Sequence, residues 1–189
     1  MGSPPVTRDL FGASPLSGLR LEDAFLGADE EAELLERIAG IELAPFRFQG
    51  WTGKRHTRSF RWRYDFDDRS FRETEPLPEW LLPVRSRAAR FAGIAPDDFP
   101  HALITRYDPG AGIGWHRDRP QFDQVVGVSL GAATTLRFRQ RIASDFRRVA
   151  VPLAPGSAYL LSGEARRDWE HSIAPGDALR CSITFRSLA

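Results

Sequence analysis

The sequence predicts a mostly β (α+β) fold, a double-sheet jelly roll or a barrel, with supporting helices on one outer face. Eight short segments with Gly and Pro between them run from His101 to the C-terminus, which is typical of antiparallel strands. Two amphipathic segments precede them and are suited to brace one sheet. The 189 residues are enough for a single domain with its own core.

The N-terminal half is predicted to supply the helices. Residues 1–20 are rich in Gly, Pro and Ser, so we expect a flexible lead-in before a single domain over 21–189. Leu21–Phe25 predicts a short strand. Asp29–Ala39 predicts a helix with an acidic first turn, and Pro78–Ala92 predicts a second one.

The C-terminal half is predicted to form the sheets, because its apolar residues recur at the spacing of strands. The predicted strands are His101–Tyr107, Gly114–Asp118, Gln124–Leu130, Thr134–Gln140, Arg148–Leu153, Ala158–Leu161, His171–Ile173 and Leu179–Arg186.

Composition excludes several classes of protein. Hydrophobic residues make up 42% and charged residues 27% of the chain, as in a soluble globular protein. Cys181 is the single cysteine, so no disulfide framework exists and a reducing compartment fits. No apolar run approaches the roughly 18 residues that a membrane helix needs, and no secretion signal is evident. We therefore expect a cytoplasmic protein that has no membrane partner and is by default a monomer.

His116 and Asp118 form the first candidate pair of metal ligands. They end the predicted strand Gly114–Asp118, and residues two apart on a strand share a face. A surface His beside an Asp that pairs with a neighbouring Arg would give the same pattern. Two His and one carboxylate form the facial triad that binds Fe(II) and leaves coordination positions open.

The third ligand should then be one of the three other histidines. His56 lies in a basic stretch and is better placed for a surface or nucleic-acid contact. His101 begins a strand and has no evident partner. His171 opens a strand after a loop, where strands can converge, so it is the best candidate.

The last strand carries a candidate anion site. Arg180, Ser182, Thr184 and Arg186 alternate with apolar residues, so burying the apolar face in the core of the sandwich would turn both arginines to the opposite side. A solvated edge strand would show the same alternation. Beside a metal, two arginines and the hydroxyl of Tyr107 suit a small dicarboxylate such as 2-oxoglutarate.

These motifs, taken in order, resemble the AlkB family of Fe(II)/2-oxoglutarate dioxygenases. The segments are ITRYDPGAGIGWHRD, the distal His171 and RCSITFR. The resemblance implies a double-stranded β-helix, a jelly-roll variant, over 101–187 and a nucleotide-recognition lid over 47–66. It implies that His116, Asp118 and His171 are the catalytic iron ligands. It implies 2-oxoglutarate contacts from Thr105, Tyr107, Arg180, Ser182 and Arg186, with Thr105 and Ser182 standing where many members carry Asn.

The basic stretch Arg47–Tyr64 is the candidate substrate wall. Its cations suit phosphates and its interleaved aromatic rings suit a base, although the aromatic residues of a strand can equally enter a core. Period-two spacing would place Phe60, Trp62 and Tyr64 on one face. The candidate substrate-binding residues are Trp62, Tyr64, Arg61, Arg63 and Arg119.

The resemblance implies oxidative dealkylation of N-alkylated bases, a repair-type demethylation of single-stranded DNA or RNA that consumes O₂ and 2-oxoglutarate. The products would be formaldehyde, succinate and CO₂. Arg119-Pro120 stands where many nucleic-acid demethylases carry acidic residues, so a protein or small-molecule substrate is the alternative. A third interpretation is a jelly-roll module that is not an enzyme and binds a ligand or nucleic acid through its arginines without iron.

Overall fold

The computed structural model describes residues 15–48, 51–64 and 71–189, and for residues 48, 51, 63, 64 and 71 the backbone alone. The strands are β1 (Leu19–Glu22), β2 (Ala44–Phe48), β3 (Trp51–Phe60), β4 (Trp62–Tyr64), β5 (Phe71–Glu73), β6 (His101–Tyr107), β7 (Ile113–His116), β8 (Phe122–Gly131), β9 (Thr134–Ile142), β10 (Asp145–Leu153), β11 (Ala158–Leu161), β12 (Glu170–Ile173) and β13 (Arg180–Leu188). The helices are α1 (Ala28–Ala39), α2 (Leu82–Ala92) and α3 (Gly163–Arg167), with 3₁₀ turns at Glu79–Leu81 and Pro96–Asp98. Within these ranges no helix is long and apolar enough to cross a membrane.

Two antiparallel sheets form the body of the molecule. The larger sheet has the strand order β1-β11-β8-β13-β6-β3-β2, and the smaller one has the order β10-β9-β12-β7. Strands β4 and β5 pair separately. All eight strands predicted from His101 onward are present, with ends that differ by a few residues. The predicted mostly β fold is therefore confirmed.

The large sheet is covered on both faces. On one face, α1 and α2 contribute Leu34, Ile38, Val84 and Ala88 to a core that includes Ile104 and other residues of the sheet. The other face packs on the small sheet through a second core that includes Val125, Leu161, Phe138 and Val149. Burial of these apolar side chains is the main force that holds the three layers together. The prediction of supporting helices on one outer face is confirmed.

The second helix starts later than its predicted bounds. Glu79–Leu81 forms a 3₁₀ turn, and the α-helix begins at Leu82 with Pro83 in its first turn. Proline is tolerated there because the first backbone N–H groups of a helix have no partner within the helix. Gly93, with φ of 78°, ends the helix in the left-handed conformation.

The apolar face of β13 packs differently from the prediction. Cys181, Ile183 and Phe185 belong to the core under the helices and not to the core between the sheets. The reason is that the helices cover the outer face of the large sheet and offer it an apolar surface. The opposite face of β13, with Arg180 and Arg186, therefore looks towards the small sheet.

The strand that carries the first two candidate ligands is shorter than predicted. β7 ends at His116, and Asp118 lies in the loop that follows. Strand alternation therefore does not place His116 and Asp118 together, and that step of the prediction was wrong. Side chains from β13 and α3 hold this loop instead, through hydrogen bonds from Arg186 and Arg166.

The predicted continuous alternation through the basic stretch is also wrong. Arg61 has φ of 68°, which interrupts the chain between β3 and β4. Its backbone N–H donates to the carbonyl of Glu75, and its carbonyl accepts from the N–H of Thr74. Phe60 is 3% exposed and packs in the core under the helices. Phe60 and Trp62 therefore do not continue one face, and residues 49, 50, 65 and 66 of the predicted lid lie outside the described residues.

The flexible lead-in predicted over residues 1–20 includes residues that belong to the folded domain. Leu16 and Leu19 are buried, and Leu19 starts the edge strand of the large sheet. The carbonyl of Gly18 accepts a hydrogen bond from the N–H of Ser162, which ties this segment to the start of α3. Residues 1–14 lie outside the described residues.

Candidate active site

A cleft of about 1500 Å³ lies between the two sheets. Residues of β3, β6 and β13 line it on the side of the large sheet, and residues of β7 and β12 line it on the side of the small sheet. Every residue that the sequence nominated as a ligand of iron or of 2-oxoglutarate lines this cleft: His116, Asp118, His171, Thr105, Tyr107, Arg180, Ser182 and Arg186.

The two candidate histidine ligands come together because β7 and β12 pair. His116 and His171 are directly opposite each other in that ladder, and their ring centroids are 4.3 Å apart. The Nδ1 atom of His116 lies 2.9 Å from the carbonyl oxygen of Gly114. A neutral ring that donates from Nδ1 has the lone pair on Nε2, the atom that is then available to a metal.

Asp118 is fixed beside them by arginine. Arg186 donates from Nε to Oδ1 of Asp118 over 2.7 Å, and Oδ2 of Asp118 lies 3.6 Å from Nε2 of His171. Arg166 of α3 donates from Nη2 to the carbonyl oxygens of Arg119 and Phe122, both at 2.6 Å. Arg166 thus holds both ends of the turn from Arg119 to Phe122 in the loop after β7. Asp118, which precedes this turn, lines the cleft.

The electrostatics of the site favour neutral imidazoles and an ionised carboxylate. The pKa of His171 is lowered to about 3, mainly by burial and then by the nearby His116, while Asp118 has an opposing effect. Burial also lowers the pKa of His116. For Asp118, burial acts to raise the pKa, but opposing electrostatic effects, of which that of Arg186 is the largest, leave the pKa well below its usual value. At neutral pH all three side chains are in the protonation state that binds a metal.

The donor set fits Fe(II), which takes two imidazoles and one carboxylate in facial sites. As the side chains stand, no three His, Cys, Asp or Glu residues in the described ranges are close enough together to hold an ion. Asp118 is bonded to Arg186, and metal binding would require its carboxylate to move towards the imidazoles.

The far end of the cleft has a buried guanidinium. Arg180 is 4% exposed, donates from Nε to Oγ of Ser129 over 3.2 Å, and lies over the ring of Tyr107 with Cζ 5.0 Å from the ring centroid. Its Nη1 atom is buried and has no partner among the described residues. A buried donor without a partner is costly, so this atom is suited to a carboxylate from a ligand.

The remaining candidate co-substrate residues lie between the two arginines. Thr105 of β6 and Ser182 of β13 are opposite each other and almost fully buried. Both line the cleft, so the floor of the cleft carries hydroxyl groups from Arg180 towards Arg186. The predicted set of five is thus brought to one face of two paired strands.

The candidate substrate-binding residues are placed unevenly. Arg119 lines the cleft, whereas Arg61 and Trp62 are not among the residues that line it. Arg61 is exposed, with Nε 3.5 Å from Oε1 of Glu73, and Trp62 is half-buried. The side chains of Arg63 and Tyr64 lie outside the described residues.

His101 and Arg55 also line the cleft, although the sequence did not predict them as site residues. His101 is buried opposite Arg186, with its ring centroid 4.9 Å from that of Phe122. Its even spacing from Tyr107 on β6 was the signal that could have placed it. Arg55 lines the cleft, with Cζ 3.6 Å from the ring centroid of Phe46. His56, by contrast, lies 3.2 Å from Oδ2 of Asp108, away from the cleft lining.

Comparison with known proteins agrees with this geometry. The family model described as the 2OG-Fe(II) oxygenase superfamily matches residues 19–186. The α-ketoglutarate-dependent dioxygenase AlkB of Salmonella typhimurium is 32% identical over 152 residues, which cover 74% of this chain and 68% of that protein. The solved structure of OsALKBH1 superposes with a TM-score of 0.72 at 16% identity, covering 93% of this chain and 99% of that chain, and shows the same jelly-roll fold.

A second relative is larger. The tRNA (carboxymethyluridine(34)-5-O)-methyltransferase alkbh8 of Xenopus tropicalis is 27% identical over 175 residues, which cover 90% of this chain. This chain spans about a quarter of the length of that protein, 27%. Family membership implies Fe(II) as the metal and 2-oxoglutarate and O₂ as co-substrates. The chain therefore belongs to the AlkB family of the 2OG-Fe(II) oxygenase superfamily.

Proposed function

We propose that this protein is a dioxygenase that removes N-alkyl groups from bases in single-stranded DNA or RNA. Each turnover would consume one O₂ and convert 2-oxoglutarate into succinate and CO₂. The N-alkyl carbon would be hydroxylated, and a methyl group would then leave as formaldehyde. The support is the family, together with a cleft that brings metal-ligand residue types, an anion site and arginines at its rim into one place.

His116, Asp118 and His171 would hold the Fe(II) ion, and iron with O₂ and 2-oxoglutarate supplies the oxidising chemistry once bound. The chain's own contribution is to keep the two imidazoles neutral through burial and the carboxylate ionised through Arg186. Arg166 holds the loop of Asp118, which keeps this carboxylate close to the two histidines.

Arg180 would bind the far carboxylate of 2-oxoglutarate. Its Nη1 donor is buried without a partner, and the Tyr107 ring beneath the guanidinium limits where it can move. Thr105 and Ser182 offer hydroxyl groups along the molecule, and Arg186 adds positive charge at the metal end. A co-substrate bound between two arginines would be held in one orientation, with its keto acid end towards the ligands.

The substrate would enter past Arg119 and Arg55. Both line the cleft, and Cζ of Arg55 lies 3.6 Å from the ring centroid of Phe46, a contact that restricts the position of the guanidinium. Burial lowers the pKa of Arg55, with an opposing effect of Tyr107. These cations would bind a phosphate group of a nucleic acid, while the base is inserted towards the metal.

The observation that carries the proposal is the meeting of His116, Asp118 and His171 in one cleft with Arg180. The test is anaerobic reconstitution with Fe(II) and 2-oxoglutarate, addition of O₂, and measurement of succinate and formaldehyde. We expect formaldehyde from an N-methylated single-stranded oligonucleotide and none from its unmethylated copy. Formaldehyde from a methylated peptide panel alone would replace nucleic acid by a protein substrate. Succinate formation that is unaffected by removal of iron would refute the proposal.

A further inference from the structure

Tyr159 reaches the cleft from a strand that the proposed chemistry does not otherwise use. It lies on β11, directly opposite Gly127 of β8, and Gly127 is directly opposite Thr184 of β13. Directly opposed residues in antiparallel strands point to the same face. Tyr159, Gly127 and Thr184 therefore form a row across three strands on the face that looks towards the small sheet.

Gly127 allows the phenol to cross its strand. A Cβ atom at Gly127 would overlap the Cζ and Oη atoms of Tyr159, so the ring lies where any other residue would place its side chain. The Tyr159 side chain therefore extends from β11 across β8 in the direction of Thr184 on β13. Both Tyr159 and Thr184 line the cleft.

The side chain of Tyr159 is almost wholly buried, with 8% exposed, and it lines the cleft that would hold the co-substrate. Burial raises the pKa of Tyr159, as do the charges of Asp118 and Tyr107, while Arg180 and Arg186 oppose them. The hydroxyl of Tyr159 therefore stays protonated and can donate a hydrogen bond. It lies close enough to interact with charged groups both at the metal end of the cleft and at the Arg180 end. Buried donors normally have an acceptor.

The position of the row indicates which ligand could accept a hydrogen bond from the Tyr159 hydroxyl. Thr184 is two residues from Arg186 and four from Arg180 on the same face of β13. An acid that extends from one arginine to the other would pass over the row that contains the Tyr159 hydroxyl.

We propose that Tyr159 is a further co-substrate-binding residue, whose hydroxyl donates a hydrogen bond to 2-oxoglutarate held between Arg180 and Arg186. This inference rests on the proposed function. A phenylalanine at position 159 would fill the space above Gly127 equally well. Packing therefore accounts for the ring of Tyr159, and co-substrate binding would account for its hydroxyl.

The test is calorimetric titration of 2-oxoglutarate into the protein loaded with Mn(II), which is inert to O₂ here. Wild type is compared with Tyr159→Phe, which removes one oxygen atom. The control is Ser157→Ala, which removes a buried hydroxyl on the same chain segment that donates to the carbonyl of Ala154 over 2.6 Å and does not line the cleft. We expect about tenfold weaker binding of 2-oxoglutarate by Tyr159→Phe, as for loss of a hydrogen bond to a charged group. Ser157→Ala should bind as wild type does.

Affinity for Mn(II) and the melting temperature without 2-oxoglutarate should be unchanged in Tyr159→Phe. Equal 2-oxoglutarate affinities of wild type and Tyr159→Phe would overturn the inference and leave the proposed function intact. An equal loss of Mn(II) affinity would also overturn it, because the effect would then be structural. A wild-type protein that binds Mn(II) but not 2-oxoglutarate would overturn both.

Discussion

Arg186 and Asp118 are 68 positions apart in the chain, yet Nε of Arg186 donates to Oδ1 of Asp118 over 2.7 Å. Their side chains are 12% and 5% exposed. The closing strand thus fixes the one candidate iron ligand that lies outside a strand. A buried pair of this kind fixes geometry more than it adds stability, because both charges lose their hydration.

Replacement of Arg186 by lysine should weaken metal binding. Lysine keeps the charge but loses the planar fork, so Asp118 would no longer be held in one orientation. We expect a tenfold to hundredfold loss of Mn(II) affinity, about the size seen when groups that orient a metal ligand are removed. The control is Arg148→Lys, which alters an exposed ion pair with Asp145. Equal Mn(II) affinities of Arg186→Lys and wild type in an equilibrium titration would contradict this role.

Arg166 and Arg167 offer a matched pair of variants on α3. Arg166 is 5% exposed and bonds two carbonyl groups of the loop that carries Asp118, whereas the side chain of Arg167 is 65% exposed and lies 3.9 Å from Asp123. Arg166→Gln should lower both Mn(II) affinity, by about tenfold, and the melting temperature. Arg167→Gln should change neither. Similar behaviour of the two variants would show that the loop is positioned by other contacts.

Arg180 should determine the affinity for 2-oxoglutarate without affecting metal binding. Arg180→Gln removes the buried guanidinium with the free Nη1 donor, and we expect the KM for 2-oxoglutarate to rise by tenfold or more, about the worth of a charge-assisted pair. Arg106→Gln is the control, because Arg106 pairs with Asp108 and lies on the adjacent strand outside the cleft lining. A KM that is equal in Arg180→Gln and wild type would remove Arg180 from the co-substrate site.

Protonation of His101 should destabilise the fold in acid. Burial, followed by the charge of Arg186, lowers the pKa of His101 well below 6.5, with an opposing effect of Asp118. The unfolded chain therefore binds this proton at higher pH than the folded chain does. Stability is complete above about pH 6.5 and falls below it by about 1.4 kcal/mol per pH unit for each such group.

Urea unfolding between pH 4.5 and 7.5 measures this dependence. His101→Gln should show a shallower loss of free energy of unfolding below pH 6.5 than wild type, with parallel behaviour above pH 7. An identical pH dependence of the two proteins would mean that His101 is not buried in its neutral form.

The eight C-terminal strands and both long helices were predictable because their apolar residues recur with periods of two and 3.6. The alternation of β13 also predicted which residues share the face of Arg180. It could not tell which face looks inward, because that depends on the helices that cover Cys181, Ile183 and Phe185. Local pattern contains no information about the layer packed on the other side.

Asp118 illustrates a different case: its side chain does line the cleft, but strand alternation, on which its prediction relied, is not what places it there. The observed strand β7 ends at His116, two residues before the predicted end. Long-range hydrogen bonds from Arg186 and Arg166 hold the loop that contains Asp118. Tyr159 was missed for a related reason. Its role depends on a missing side chain at Gly127, 32 positions away on the neighbouring strand, and only the register of β11 and β8 brings them together.

The most direct test of the central claim is equilibrium dialysis of Fe(II) under anaerobic conditions, with wild type compared with His116→Ala, Asp118→Ala and His171→Ala. We expect one ion per wild-type chain and a loss of affinity of about a hundredfold or more in each variant. Each variant should also lose 2-oxoglutarate decarboxylation and retain the folded far-ultraviolet spectrum. His56→Ala, which alters a histidine outside the cleft lining, should bind as wild type does. One tightly bound ion in folded His171→Ala, with undiminished decarboxylation, would contradict the claim.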